Sequence, residues 1–227
     1  MNTSVGKHYI WSGVACLLIG PVAVLVQWLV TPVDATLPTA DLVAAVAAHR
    51  TAMGWALALD VPILLVFPAV LYVGHLARAG TSLFAGIAVA LCFLPMLGGI
   101  LLLGVDALLF EAAAQADRGA SAGLVDAFVN DPFVGGLTRV YLLTHVVGFI
   151  MLAIALRRVR AVPLWACVAI ALWPIVEMAG YAAGGKAAAA IGYAALVVGY
   201  GACAMALVRE GRATSDTEHA KAVLAPS

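Results

Sequence analysis

Charged residues are scarce in this sequence of 227 residues, and neither sign dominates. Only 11% of the residues are Asp, Glu, Lys or Arg, and 12 basic residues balance 12 acidic ones. A nucleic-acid-binding chain usually presents a basic surface, often with interleaved aromatic residues, to the phosphates. The sequence offers no such surface, so we expect no nucleic-acid partner.

Cysteine is also sparse. The four cysteines, Cys16, Cys92, Cys167 and Cys203, all fall inside apolar runs and share no spacing typical of metal ligands. In such surroundings a cysteine packs as a small hydrophobic residue. We therefore expect neither a disulfide framework nor a metal site.

Several enzyme and cofactor motifs are missing as well. The sequence contains no Walker motif, dinucleotide fingerprint, zinc-protease motif or nucleophile elbow. A haem held by two histidines needs both at one depth on neighbouring helices. His49, His75 and His145 are predicted at the outer interface, near the inner interface and near the middle, respectively. We therefore expect no cofactor.

Apolar residues, in contrast, are abundant: 64% of the chain is hydrophobic, and the mean hydropathy is +1.06. These values are typical of integral membrane proteins, and a membrane helix needs about 20 apolar residues. Six stretches qualify: Tyr9 to Val30, Thr51 to Ala77, Leu83 to Leu109, Leu137 to Leu156, Val162 to Tyr181 and Ala187 to Val208. The predicted fold is an all-α, polytopic bundle of six transmembrane helices in one domain over residues 1–209. The first run also resembles a signal peptide, but it is too long and five spans follow it.

The basic residues predict the orientation of the bundle, because cationic flanks tend to remain cytoplasmic. Most of them fall on one side: Lys7, Arg78, Arg157, Arg158, Arg160, Arg209 and Arg212. Both termini are therefore predicted to be cytoplasmic, in a multi-pass protein of the cell membrane. Residues 210–227 are polar and lack a packing pattern, which predicts a disordered cytoplasmic tail.

Two long connections lie on the predicted outer side. The first, from Thr31 to Arg50, contains a pattern typical of an amphipathic helix on the membrane surface, capped at Thr39. The second, from Ala112 to Gly136, carries apolar residues at helical spacing. We expect it to cover the outer mouth of the bundle.

Polar side chains within the spans cluster towards the outer leaflet. Asp60, His145 and Glu177 are the central residues, and each ionisable group costs about 2.5–3.5 kcal/mol to insert. They are the candidate catalytic residues if the protein is an enzyme. The predicted ligand-binding set consists of these three together with Gln27, Arg139, Tyr141, Trp173 and Tyr193. The alternative is structural, with buried pairs that fix one helix against another.

Three parts of the chain carry a resemblance to a known family. They are VDATLPTADLVAAV from Val33, the segment from Gly54 to Asp60 with the later Leu71-Tyr72, and Thr144 to Gly148 followed by Val162 to Trp165. With them the chain resembles a large, uncharacterised bacterial family of six-span membrane proteins, classed only as a domain of unknown function. The resemblance implies the architecture and no assigned chemistry.

Three functions follow as hypotheses. The first is a membrane protein whose outward-facing polar pocket binds a small hydrophobic or amphiphilic ligand, or supports a partner. The second is an intramembrane enzyme that uses buried carboxyl groups for acid-base chemistry on a lipid-like substrate, such as an isoprenoid. The third is a proton-coupled carrier with Asp60 or Glu177 as its proton site.

Overall fold

A computed structural model describes residues 3–33, 37–78, 82–183 and 186–224. Residues 34–36, within the first segment that carries the family resemblance, lie outside these ranges. The described residues form nine α-helices and no strand. The helices are α1 (Thr3–Val30), α2 (Thr39–Ala48), α3 (Arg50–Ile63), α4 (Val66–Ala77), α5 (Ser82–Ala112), α6 (Arg118–Val129), α7 (Pro132–Val159), α8 (Leu164–Ala182) and α9 (Lys186–Leu224).

Six helical stretches are long and apolar enough to cross a membrane, which confirms the predicted all-α, multi-pass fold. They are His8–Val30, Arg50–Ala77, Leu83–Ala112, Pro132–Val159, Leu164–Ala182 and Lys186–Ala213. The cytoplasmic location of the two termini stays a prediction.

The second span consists of two helices, α3 and α4, separated at Leu64 and Leu65. Proline explains the interruption, because Pro68 has no N–H to donate to the carbonyl four residues earlier. Helix α1 packs closely here: a Cβ atom added to Gly20 would lie 2.7 Å from the backbone nitrogen of Val66. The interruption is therefore a packed feature of the bundle.

The main hydrophobic core runs between the spans. Helix α9 packs along α8 and α1, and α5 packs along α7. The largest buried side chains of this core include Phe149, Leu152 and Tyr200. Many large apolar side chains instead point outward, with Val61 71% and Leu83 78% exposed. An apolar core inside an apolar surface suits a lipid environment.

Helices α2 and α6 pack together at one end of the bundle. Val43 and Val46 of α2 and Val125 of α6 are buried in a second hydrophobic cluster, to which the ends of α3 and α5 also contribute. The buried face of α2 therefore packs against α6, and the location of α2 on the membrane surface stays a prediction. We call the half of the bundle next to α2 and α6 the capped half.

The start of α2 also differs from the prediction of a cap at Thr39. Pro38 precedes the helix, and no side chain caps its first turn. The Thr39 hydroxyl instead donates to Asp126 Oδ1 on α6, at 3.1 Å. Two aspartates supply the caps elsewhere: Asp117 accepts from the first turn of α6, and Asp131 from the first turn of α7. These caps begin the two helices of the second long connection, of which α6 packs next to α2.

The C-terminal segment is helical where a disordered tail was expected. Helix α9 continues beyond the membrane span to Leu224, and residues 225–227 lie outside the described ranges. Residues 210–224 contain no proline, and they include three Ala and two Glu, which favour helix. Local propensity can extend a helix that the membrane span has already nucleated, and disorder of residues 210–227 in the cytoplasm stays a prediction.

Candidate functional site

A buried polar group joins three helices in the capped half. The Tyr193 hydroxyl of α9 donates to Glu177 Oε1 of α8 at 2.5 Å. The second carboxylate oxygen, Oε2, lies 3.3 Å from His145 Nε2 of α7. Glu177 and His145 are only 5% and 4% exposed. The structure thus brings together His145, Glu177 and Tyr193 of the predicted set.

The close approach of α8 and α9 builds this group. A Cβ atom added to Gly192 would lie 2.8 Å from both the Trp173 carbonyl oxygen and the Glu177 backbone nitrogen. Only a residue without a side chain permits this spacing. Because Tyr193 follows Gly192 directly, its hydroxyl reaches the Glu177 carboxyl across the interface.

The two contacts of the Glu177 carboxyl differ in strength. An O–H···O⁻ hydrogen bond to a carboxylate is typically about 2.5–2.7 Å long, and an N⁺–H···O⁻ bond about 2.7–2.9 Å. The Tyr193 contact, at 2.5 Å, falls at the short limit, whereas the His145 contact, at 3.3 Å, is long. Oxygen Oε1 is therefore firmly held, and Oε2 is the oxygen available for a stronger partner.

Aromatic rings enclose the His145 side of the group. The His145 ring centroid lies 4.5 Å from Trp173, 4.9 Å from Tyr141 and 5.3 Å from Phe149. The T-shaped contact with Trp173 directs the edge of one ring at the face of the other. The predicted residues Tyr141 and Trp173 thus lie around the His145 ring, together with Phe149, which was not predicted although it follows His145 by four residues.

A second aromatic group lies on the α1 side. Trp28 contacts Tyr181 at a centroid distance of 4.7 Å and Tyr193 at 5.7 Å. Its indole N–H donates to the Lys186 carbonyl oxygen at 2.9 Å, which fixes the ring between α1 and α9. The aromatic rings of this site therefore come from four spans, those that contain α1, α7, α8 and α9.

Two buried polar atoms of this site have no hydrogen-bond partner among the described residues: His145 Nδ1 and Trp173 Nε1. A buried polar atom without a partner costs about 1–3 kcal/mol. The His145 and Trp173 rings contact each other, so both unpaired atoms lie in the same part of the bundle. The site therefore retains unused hydrogen-bonding capacity next to the carboxyl group.

Asp60 belongs to a different hydrogen-bonded group. Its carboxyl oxygen Oδ1 accepts from Gln27 Nε2 of α1 at 2.7 Å. Asp106 of α5 lies within electrostatic range of Asp60, and Tyr181 lies within range of both Asp106 and Glu177. The structure thus pairs Gln27 with Asp60 and does not bring Asp60 into hydrogen-bond contact with His145 or Glu177.

Arg139 stands apart from both groups. It is exposed and makes no hydrogen bond or ion pair with any residue that the structure describes. Its predicted position among the polar residues near the outer interface was the basis for its inclusion. The acid that the predicted set omitted is Asp106, for which the signal was an acid inside the third span.

The basic residues nearest to the capped half do not pair with these acids. Lys186 donates to the carbonyl oxygens of Leu29 and Thr31. Arg50 donates to the Phe110 carbonyl oxygen at 3.3 Å and lies over the Phe110 ring. Within the described ranges no Lys or Arg forms an ion pair with Asp60, Asp106 or Glu177. The interior of the capped half therefore carries more acidic than basic groups.

The described residues contain no group of three His, Cys, Asp or Glu side chains arranged to hold a metal ion. The pairing of a carboxyl group with aromatic rings instead provides a surface for a positive charge, because ring faces are electron-rich.

Comparisons with known proteins add no relative. A scan of the sequence matches no family model, and searches of curated proteins and of solved structures give no match. The resemblance to an uncharacterised bacterial six-span family therefore stays a prediction.

Proposed function

We propose that the protein binds an amphiphilic organic cation within the capped half of the bundle. Glu177 supplies the charge partner, and the rings of Tyr141, Trp173 and Tyr193 supply the surface for the apolar body of the ligand. The observation that carries the proposal is a buried carboxyl group hydrogen-bonded to Tyr193 and next to His145, whose ring three aromatic side chains surround, with no Lys or Arg paired to the carboxyl group among the described residues.

Glu177 Oε2 is the expected contact for the ligand. Its distance of 3.3 Å to His145 Nε2 leaves it weakly bound, while Tyr193 holds Oε1. An organic cation that approaches Oε2 gains a charge–charge attraction that is strong in this buried position. Desolvated cation–π contacts add about 2 kcal/mol. Binding therefore moves the His145 ring and keeps the Tyr193 contact.

A direct test uses two ions of equal shape and opposite charge. We expect the wild-type protein in nanodiscs to bind tetraphenylphosphonium and to discriminate against tetraphenylborate, as measured by isothermal titration calorimetry. Glu177→Gln removes the carboxylate charge and should weaken tetraphenylphosphonium binding by about 30-fold, corresponding to about 2 kcal/mol for two unit charges about 8 Å apart at an effective dielectric constant of about 20.

Glu111→Gln is the matched control, since Glu111 is an exposed acid in the same half of the bundle. It should bind tetraphenylphosphonium like the wild type. Equal binding of the two ions by the wild type, or unchanged binding by Glu177→Gln, contradicts the proposal.

The two alternative functions receive less support from the geometry. An enzyme that uses Asp60 and Glu177 together needs both carboxyl groups at one substrate, but they lie in separate hydrogen-bonded groups. A proton-coupled carrier needs polar access from both ends, and the main hydrophobic core between the spans is largely apolar. Both alternatives stay predictions.

A further inference from the structure

A groove between α1 and α9 opens near the end of the bundle opposite to the capped half. Its cavity volume is about 320 Å³, and its wall is almost entirely apolar. The lining residues are Val14 and Leu18 of α1 and Gly201, Ala204, Met205, Val208, Arg209 and Arg212 of α9. The groove is therefore apolar along its length and has two arginines at one end.

Helical spacing explains why these residues share one surface. Residues 204, 205 and 208 follow Gly201 by three, four and seven positions, so all four lie on one face of α9. Gly201 deepens this face: a Cβ atom added there would meet nothing within 4 Å. The groove thus exists because the sequence has a small residue where a larger one would fit.

The charge at the end of the groove is of one sign. Arg209 and Arg212 are exposed, and no acid lines the groove. Glu210 lies between them in sequence, but its carboxyl oxygen is 3.2 Å from His75 Nε2 of α4. This acid is therefore directed towards α4, and the two guanidinium groups keep their positive charge at the mouth of the groove.

We infer that this groove is a binding site for one anionic phospholipid. An acyl chain lies against the apolar wall, and the headgroup phosphate contacts Arg209 and Arg212. A phospholipid has the same layout as the groove, with a long apolar part and an anionic group at one end. Guanidinium groups bind phosphate oxygens in pairs of hydrogen bonds. Basic pockets between membrane helices on the predicted cytoplasmic side are sites of this kind.

The test compares two phospholipids with identical acyl chains. The protein is purified in detergent, supplied with dioleoylphosphatidylglycerol or dioleoylphosphatidylcholine, and the retained lipid is measured by native mass spectrometry. We expect the wild type to retain phosphatidylglycerol preferentially. Each arginine near the headgroup contributes about fivefold, so Arg209→Gln with Arg212→Gln should weaken retention by roughly 10- to 30-fold.

Two further variants separate the groove from general electrostatics. Arg78→Gln with Arg157→Gln removes two exposed charges outside the groove lining and should retain phosphatidylglycerol like the wild type. Gly201→Leu fills the groove without a steric clash at Cβ. It should lose the phospholipid while its free energy of unfolding stays at or above the wild-type value.

Three results with the lipids and variants would overturn the inference. They are equal retention of both lipids by the wild type, an equal loss in the two double-arginine variants, and full retention by Gly201→Leu. Displacement of phosphatidylglycerol by millimolar inorganic phosphate would also overturn it, because the arginines would then bind a free anion.

Discussion

The contact between α8 and α9 at Gly192 gives the sharpest test of the packing that builds the site. We predict that Gly192→Ala destabilises the protein. The added Cβ atom would lie 2.8 Å from the Trp173 carbonyl oxygen, 2.8 Å from the Glu177 backbone nitrogen and 3.2 Å from Glu177 Cα. All three are backbone atoms of a helix, so no side-chain rotation relieves the overlap and the two helices must separate.

Overpacking of this kind costs about 1–3 kcal/mol. Gly201→Ala is the matched control, since Gly201 lies on the same helix and its added Cβ atom would meet nothing within 4 Å. On its own, replacing glycine by alanine within a helix stabilises by about 0.5–1 kcal/mol. We therefore expect the two variants to change the free energy of unfolding in opposite directions. Reversible unfolding of the purified protein in mixed detergent micelles with increasing SDS, followed by circular dichroism, measures both values.

A second measurement links this contact to the polar group. Helix separation at Gly192 moves the Tyr193 hydroxyl away from Glu177, so Gly192→Ala should also weaken tetraphenylphosphonium binding. Equal stability of Gly192→Ala and Gly201→Ala would contradict the predicted destabilisation, because the backbone contact would then not determine the spacing of α8 and α9.

Two further predictions concern individual hydrogen bonds. Tyr193→Phe removes the donor to Glu177 and should cost about 0.5–2 kcal/mol of unfolding free energy. Tyr200→Phe removes a buried hydroxyl that has no partner among the described residues and should cost nothing; equal losses in the same SDS titration would contradict the assigned bond. Asp131→Ala removes the cap that accepts from the first turn of α7 and should cost about 0.5–2 kcal/mol. Thr39→Ala, which removes no helix cap, should cost less, and a loss as large as that of Asp131→Ala would argue against the caps as the structure has them.

Hydropathy and helical spacing were sufficient for the architecture. All six predicted spans are present, because the bilayer demands about 20 apolar residues per helix whatever the packing. The sequence also predicts the level of each polar side chain along its helix, because the rise per residue is fixed. The meeting of His145 and Glu177 needed only that both lie at similar depth on adjacent spans.

The hydrogen-bond partner of Asp60 could not be predicted from hydropathy and helical rise. Depth alone does not say which neighbour a helix face meets, and Asp60 faces Gln27 of α1. The rotation of each helix is set by close contacts such as the one at Gly192, where the partner is backbone and leaves no sequence pattern. Likewise, the sequence predicts the apolar face of α2 correctly. It does not predict that this face packs against α6, because that contact depends on tertiary packing.

The hydrophobic cluster beneath α2 and α6 is separate from the main core between the spans. Its members include Val43, Val46 and Val125, and the spans contribute only the ends of α3 and α5. Regions with their own small core open as independent units, at a free energy well below that of global unfolding. We therefore expect α2 and α6 to open at a lower free energy than the spans separate, which would expose the interior of the capped half.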